Sequence, residues 1–288
     1  MVSILGFGAS EIGFRKSTEA EVDRLMGLAL DHGINVIDTA ECYLQSEERL
    51  GQALQGRRAD VYLFTKCGHA SGLPTSDWEK ETLQASIDRS LVRLRTDYVD
   101  VIHLHSCSRE VLARGEVVDV LTQAKAEGKA RYIGYSGDSE DARYALELGV
   151  FDSLETSVNI ADQQALTMTL PKAVVERVGV VAKRPVANVA WRHRERPLDE
   201  YVTPYWQRLN VLNYPALAAD EVDASVALAL KFTWSVTGVC TAIVGTSSAE
   251  RLMQNIHTAE SANLSEDLFK DFRQRWQDVS EPTWVGLE

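Results

Sequence analysis

The chain has 288 residues, 45% of them hydrophobic and 25% charged, an ordinary balance for a globular enzyme with one large core. Its formal net charge of -12 argues against an extended nucleic-acid or anionic-membrane surface and leaves room for one basic pocket that takes a phosphate. No apolar run approaches the ~20 residues that span a bilayer, and MVSILGFGAS lacks the basic start and long apolar stretch of a signal peptide, so a cytoplasmic protein acting on small molecules is expected.

Apolar or β-branched runs recur at residues 2–7, 34–39, 61–66, 99–105, 130–136, 153–158, 180–185 and 241–245. Amphipathic segments separate them, at 18–32, 47–54, 78–94, 110–127, 141–148, 163–178, 222–235 and 249–257. Ser17 or Thr18, Ser46 and Ser139 precede acids and suit helix N-caps, and Gly33, Gly128, Gly149 and Gly179 suit helix ends before strands. Eight strand-then-helix units predict an α/β parallel (β/α)8 TIM barrel, one domain over 1–288, with its active site at the strands' C-terminal ends. The rival is a doubly wound sheet, but GFGASEIG lacks the GxGxxG spacing of a dinucleotide fold, and Gly6, Gly8 and Gly13 read as turn formers. The stretch at about 187–220 is too long for a simple connector. Its aromatics, Trp191, Tyr201, Tyr205 and Trp206, either wall a substrate pocket or bury the loop against the rim, and a C-terminal tail carries Trp284.

Four cysteines, Cys42, Cys67, Cys107 and Cys240, form no CxxC pair and no zinc-type spacing, so reduced thiols are expected. Three sit near strand ends, where they serve packing or make activity sensitive to oxidation.

At the strand tips of such a barrel stand Asp38, Lys66 and His105, with Tyr43 in the loop after the second strand. A buried carboxylate needs a cation, which Lys66 supplies, and the same charge beside Tyr43 favours its phenolate. Taken singly, each has a structural reading: a paired barrel acid, a rim cation, a core imidazole, a packed ring.

Together they carry a resemblance. GINVIDTAECYLQSEERLGQAL, FTKCG and DYVDVIHLHS resemble the segments of the aldo-keto reductase superfamily that hold its catalytic Asp, Tyr, Lys and His, and the likeness extends over nearly the whole chain. It implies Asp38, Tyr43, Lys66 and His105 as a tetrad, and reversible hydride transfer between NADPH/NADP+ and a small-molecule aldehyde, ketone or sugar carbonyl, with NADH as the weaker alternative. ARYIGYSG is similar to the family's nicotinamide segment, which implies Ser136 as a carboxamide contact; Gly137 stands where an asparagine is common. In LETSVN, Asn159 matches a frequent asparagine and Glu155 replaces the usual glutamine. Lys183 occupies the place of a stacking aromatic, and Lys183 and Arg184 are both candidate phosphate ligands. AIVGTSSAERLMQNI resembles the segment around the adenosine phosphate, which implies Gly245, Thr246, Ser247, Ser248, Arg251, Gln254 and Asn255, with Arg251 favouring NADPH. Members usually carry an N-terminal hairpin, whereas this chain opens at VSILGFG, so either the barrel lacks it, as expected here, or the sequence starts late.

Two other functions fit parts of the chain. His103 and His105 lie on the same side of one strand, as in metal-dependent barrel hydrolases, with His69 the best further ligand among His32, His69, His193 and His257. A regulatory subunit that binds cofactor without turnover is the other.

Overall fold

The protein is described here by a computed structural model covering residues 1–15 and 17–287. The eight expected strands all form: β1 (Leu5–Gly8), β2 (Val36–Asp38), β3 (Tyr62–Cys67), β4 (Val99–His105), β5 (Ala130–Ser136), β6 (Ser153–Ser157), β7 (Gly179–Lys183) and β8 (Val239–Gly245). They pair in parallel in sequence order, and β8 returns to β1 through Leu5 opposite Ala242 and Gly8 opposite Gly245, closing the barrel.

Alternation along the strands separates two apolar regions. Outward residues such as Phe7, Leu63, Leu104 and Leu154 join the helices in one large core, while Val36, Phe64, Val101 and Val181 meet inside the barrel as a plug. Val2 packs on that plug. Ser3 and Asn35 exchange hydrogen bonds of 2.7 and 3.1 Å, and Asn35 Nδ2 donates to Met1 O. Among the described residues no strand precedes Leu5.

The helices depart from expectation where local chemistry interrupts the period. Segment 110–127 divides into Arg109–Ala113 and Glu116–Ala126, because Gly115 turns the chain at φ +82°. Segment 163–178 divides into Ala165–Met168 and Leu170–Glu176 at Thr169, just before Pro171, whose nitrogen cannot continue the hydrogen-bond ladder. Thr18 caps Glu19–Asp31 in a reciprocal pair with Glu21, as its position suggests. Ser46 and Ser139 are not caps: Gln45 and Asp138 hold those places, and the two serines begin their helices. Arg177, not Gly179, ends its helix in the left-handed conformation, and Gly179 opens β7.

The long stretch after β7 contains a 3-10 turn, Ala187–Arg192, and a helix, Thr203–Leu212. Trp191 and Tyr205 are buried in the main core and Trp206 Nε1 donates to His193 O, so these rings bury the loop, while Tyr201 is exposed. A helix absent from the sequence reading, Glu266–Val279, is capped by Ser265 and buries Phe272 and Trp276. Trp284 stacks edge-on against Trp276, and the chain beyond it crosses the barrel rim. Among the described residues no helix is long and apolar enough to cross a membrane.

Candidate active site

The period of two that builds the plug also builds the layer above it. Asp38 stands two residues beyond Val36, Lys66 two beyond Phe64, His103 and His105 two and four beyond Val101, and Lys183 two beyond Val181. Chemistry therefore begins where the apolar interior ends.

Lys66 Nζ lies 2.7 and 2.6 Å from the two oxygens of Asp38 and donates to Thr39 O at 3.1 Å. A second carboxylate, Glu155, reaches the same ammonium at 3.1 Å. All three side chains are almost wholly buried. Burial opposes the lysine's charge, but Asp38 and Glu155 outweigh it and raise its pKa above the ordinary range. With two carboxylates facing one cation, burial and the Glu155 charge push Asp38 up to about 8. Burial pushes Glu155 up, but Lys66, His103 and Lys183 together outweigh it and hold the carboxyl below its usual range. Proton uptake belongs to the pair as a unit.

Tyr43 comes to this cluster through a tight loop. Tyr43 N donates to Ala40 O and Ser46 N to Tyr43 O. Ser46 Oγ donates to Ala9 O at 2.9 Å and lies 2.8 Å from Thr39 Oγ1, tying the loop to the ends of β1 and β2. Gly13 is not a turn former; it sits in the helix Ser10–Phe14, and a Cβ there would stand 2.1 Å from Tyr43 O. Only glycine lets that helix press on the tyrosine loop. The phenol ring packs against Phe14 and meets the His105 ring at 5.8 Å and 80°, and Lys66 Nζ lies 5.6 Å from its centroid. Burial raises the phenol's pKa, and Lys66 partly offsets this.

His105 Nδ1 lies 3.5 Å from Cys42 Sγ. Burial, then the nearby Lys66 charge, holds its pKa well below the usual imidazole range, and burial pushes the Cys42 thiol up to about 12. His103 faces deeper partners, with Nε2 3.1 Å from Ser153 Oγ and Nδ1 3.9 Å from Glu155. Burial takes it down to about 4. The two histidines thus share a strand but not a cluster. The close groups of potential ligand atoms among the described residues are Asp38–His103–Glu155, already filled by the Lys66 ammonium, and Glu41–Cys42–His105. His69 bonds Asp77 at 2.9 Å.

Ser136 ends β5 in register with Glu155 and is buried. A Cβ at Gly137 would lie 2.6 Å from the Tyr135 hydroxyl, so an asparagine there has no room without moving that ring. Asn159 Oδ1 accepts from Ala161 N, and its buried Nδ2 faces the Tyr205 hydroxyl. Lys183 Nζ pairs at 3.0 Å with Asp138, a residue the sequence reading missed. Asp138 also accepts from Thr156 Oγ1, Ser157 N and Ser157 Oγ, and these with Lys183 outweigh burial and hold it below the usual carboxylate range. The acid directly follows ARYIGYSG, which was its signal in the sequence. Arg184 donates to Ser157 Oγ and to Leu287 O.

On the neighbouring side, Gly245 ends β8, and Thr246 and Ser247 lead to Ser248, the N-cap of the helix Ala249–Glu260. Thr246 Oγ1 accepts from Ser248 N, and Ser247 Oγ lies 3.4 Å from Glu11. Arg251 is exposed, and its guanidinium has no ion-pair or hydrogen-bond partner among the described residues. Gln254 bonds Asp223, and Asn255 is buried on the next position.

A sequence model of the aldo/keto reductase family matches residues 4–277. L-galactose dehydrogenase of Arabidopsis thaliana is 30% identical over 98% of this chain and 93% of that protein. The solved structure of an aldo-keto reductase from Bacillus halodurans in its holo form is similar at a TM-score of 0.82, with 27% identity over 98% of this chain and 95% of that one. An aldo-keto reductase from Klebsiella pneumoniae in complex with NADPH is similar at 0.77, with 26% identity over 100% and 95%. A closed parallel barrel, the layer of charged side chains at its strand tips and a family match over nearly its full length lead to one assignment: the chain is an enzyme of the aldo/keto reductase family.

Proposed function

We propose that this chain transfers hydride reversibly between NADPH and the carbonyl carbon of an aldehyde, ketone or sugar, with Tyr43 as the proton donor in reduction. The observation that carries the reading is the buried Lys66–Asp38 pair set beside Tyr43 and His105 at one end of the barrel. NADPH, when bound, supplies the hydride. The chain's own residues handle the charge that grows on the carbonyl oxygen. Tyr43 gives that oxygen its proton, and the Lys66 ammonium beside the ring lowers the cost of the phenolate left behind. Asp38 holds Lys66 in place through both carboxylate oxygens. The Cys42 thiol donates to His105 Nδ1, which leaves the imidazole proton on Nε2 to donate to the substrate oxygen.

The residues present fit the cofactor. Arg251 offers an exposed guanidinium, unpartnered among the described residues, in the first turn of a 12-residue helix, where an anion is favoured. Asn159 offers a buried amide donor beside the Tyr205 hydroxyl. Asp138 neutralises Lys183, so the oxidised nicotinamide meets no free cation from that side, and phosphate contact falls to Arg251 and Arg184. The name of the L-galactose dehydrogenase relative supports a sugar among the substrates to be tried, and the NADPH complex of the Klebsiella structure supports the cofactor.

Fluorescence titration with NADPH and NADH tests the reading. NADPH is expected to bind more tightly, and Arg251→Ala to weaken it roughly ten- to a hundredfold, toward the NADH value. Failure of both nucleotides to bind overturns it.

A further inference from the structure

Among the described residues Glu41 is a buried acid without an ion-pair partner. Its side chain is 2% exposed; Oε1 accepts from His69 N at 3.1 Å, Oε2 has no hydrogen-bond partner among the described residues, and no basic side chain there forms an ion pair with it. Such a group is costly to bury unless something positive comes to it. Asp38 and Glu155 meet the same requirement with Lys66, whereas Glu41 faces Cys42 Sγ and a nitrogen of His105, all three ligand atoms within 4.8 Å of one another. We propose that Glu41, Cys42 and His105 form a binding site for a divalent cation of the zinc class.

The donor set is one carboxylate, one sulfur and one imidazole, each a ligand type that zinc takes, and three protein ligands leave a fourth position open. Two of the donors already stand at the required separation. Tetrahedral zinc with Zn–S of about 2.3 Å and Zn–N of about 2.0–2.1 Å places sulfur and nitrogen about 3.5 Å apart, and Cys42 Sγ lies 3.5 Å from His105 Nδ1. Glu41 and Cys42 are neighbours in the loop after β2, and His105 ends β4, so the site joins two strand tips that are not adjacent in the sheet. Cys42 is partly exposed, which gives an ion an entry path. Coordination replaces the thiol proton, which is released to solvent. The ion and the substrate oxygen then draw on one imidazole.

The test is a Cd2+ titration of the full chain carrying Cys240→Ser, whose remaining thiols are Cys42 and the fully buried Cys67 and Cys107. One equivalent is expected to give a saturating thiolate-to-cadmium absorbance in the ultraviolet, displaced by Zn2+. Adding Cys42→Ser or Cys42→Ala abolishes it, and Glu41→Gln weakens Cd2+ binding roughly tenfold or more. Near-ultraviolet circular dichroism identifies which variants keep the native fold. Absence of a saturable signal, a signal that survives loss of Cys42, or an unchanged affinity in folded Glu41→Gln overturns the site.

Discussion

Lys66 serves two carboxylates at once: its ammonium sits 2.6 Å from Asp38 and 3.1 Å from Glu155, inside the barrel and beside the Tyr43 ring. A glutamine in place of Glu155 would leave one carboxylate on the lysine; the acid adds a negative charge that raises the phenol's pKa, as Asp38 and Cys42 also do. In the proposed mechanism Tyr43 must be a phenolate when alcohol is oxidised. Removing an anion lowers the phenol's pKa, so Glu155→Gln is expected to move the rising limb of the oxidation rate to lower pH by about one unit. Reduction near neutral pH, where the phenol stays protonated, changes little. Rate profiles of kcat/KM against pH for both proteins decide it, and superimposable limbs would sink the idea.

Tyr43→Phe removes the proposed proton donor and keeps the ring's contacts with Phe14 and His105. Turnover is expected to fall about 100- to 10,000-fold, with nucleotide affinity and thermal unfolding close to those of the parent. Single-turnover kinetics and a nucleotide titration on the same preparation separate the two.

Lys66→Met has a different signature, because it strips the cation from two buried acids. One carboxyl must take up a proton or remain charged without a partner, and a loss of about 3–5 kcal/mol in stability is expected alongside lost activity. Denaturant unfolding measures it. A variant as stable as the parent would mean that the acids are satisfied in some other way.

Asp162 makes stability itself depend on pH. Burial, then the Asp138 charge, pushes its carboxyl up to about 7, although Arg208 lies 3.5 Å away. The folded chain therefore binds a proton that the unfolded chain releases near pH 4. Stability from this group is full below pH 4 and is lost as pH rises toward 7. Asp162→Asn removes that slope, so it is expected to gain on the parent by about 3 kcal/mol between pH 5 and pH 8. Denaturation midpoints at the two pH values provide the check.

What could be read in the sequence was whatever depends on spacing. VIDTAECY, FTK and VIHLH carry their side chains inward by strand alternation, and the structure sets Asp38, Lys66, His105 and Tyr43 within one neighbourhood. Breaks in helices were legible less well, because apolar period continues through Gly115 and Thr169 even where the backbone does not. Ser46 precedes two acids like a cap, yet tertiary contacts with Ala9 and Thr39 claim its hydroxyl. The helix Glu266–Val279 had its own signals, Ser265 before two acids and Leu268, Phe272 and Trp276 four apart, which the tail reading passed over. Pairings across the barrel, Lys66 with Glu155 and Lys183 with Asp138, join residues far apart in the chain and have no local pattern to announce them.

Val285 and Leu287 offer their carbonyls to two arginines, Arg208 at 2.5 Å and Arg184, and Gly286 N donates to Ser139 Oγ at 3.2 Å, so the tail is fastened across the rim at three places. A nucleotide diphosphate that recruits Arg184 must first displace a neutral carbonyl. Arrival of nucleotide then divides into an encounter whose rate grows with concentration and a slower rearrangement whose rate reaches a plateau, and departure retraces both. On the proposed reading, with Arg184 as a diphosphate ligand, release of spent nucleotide is expected to wait on how long a few tail residues hold on.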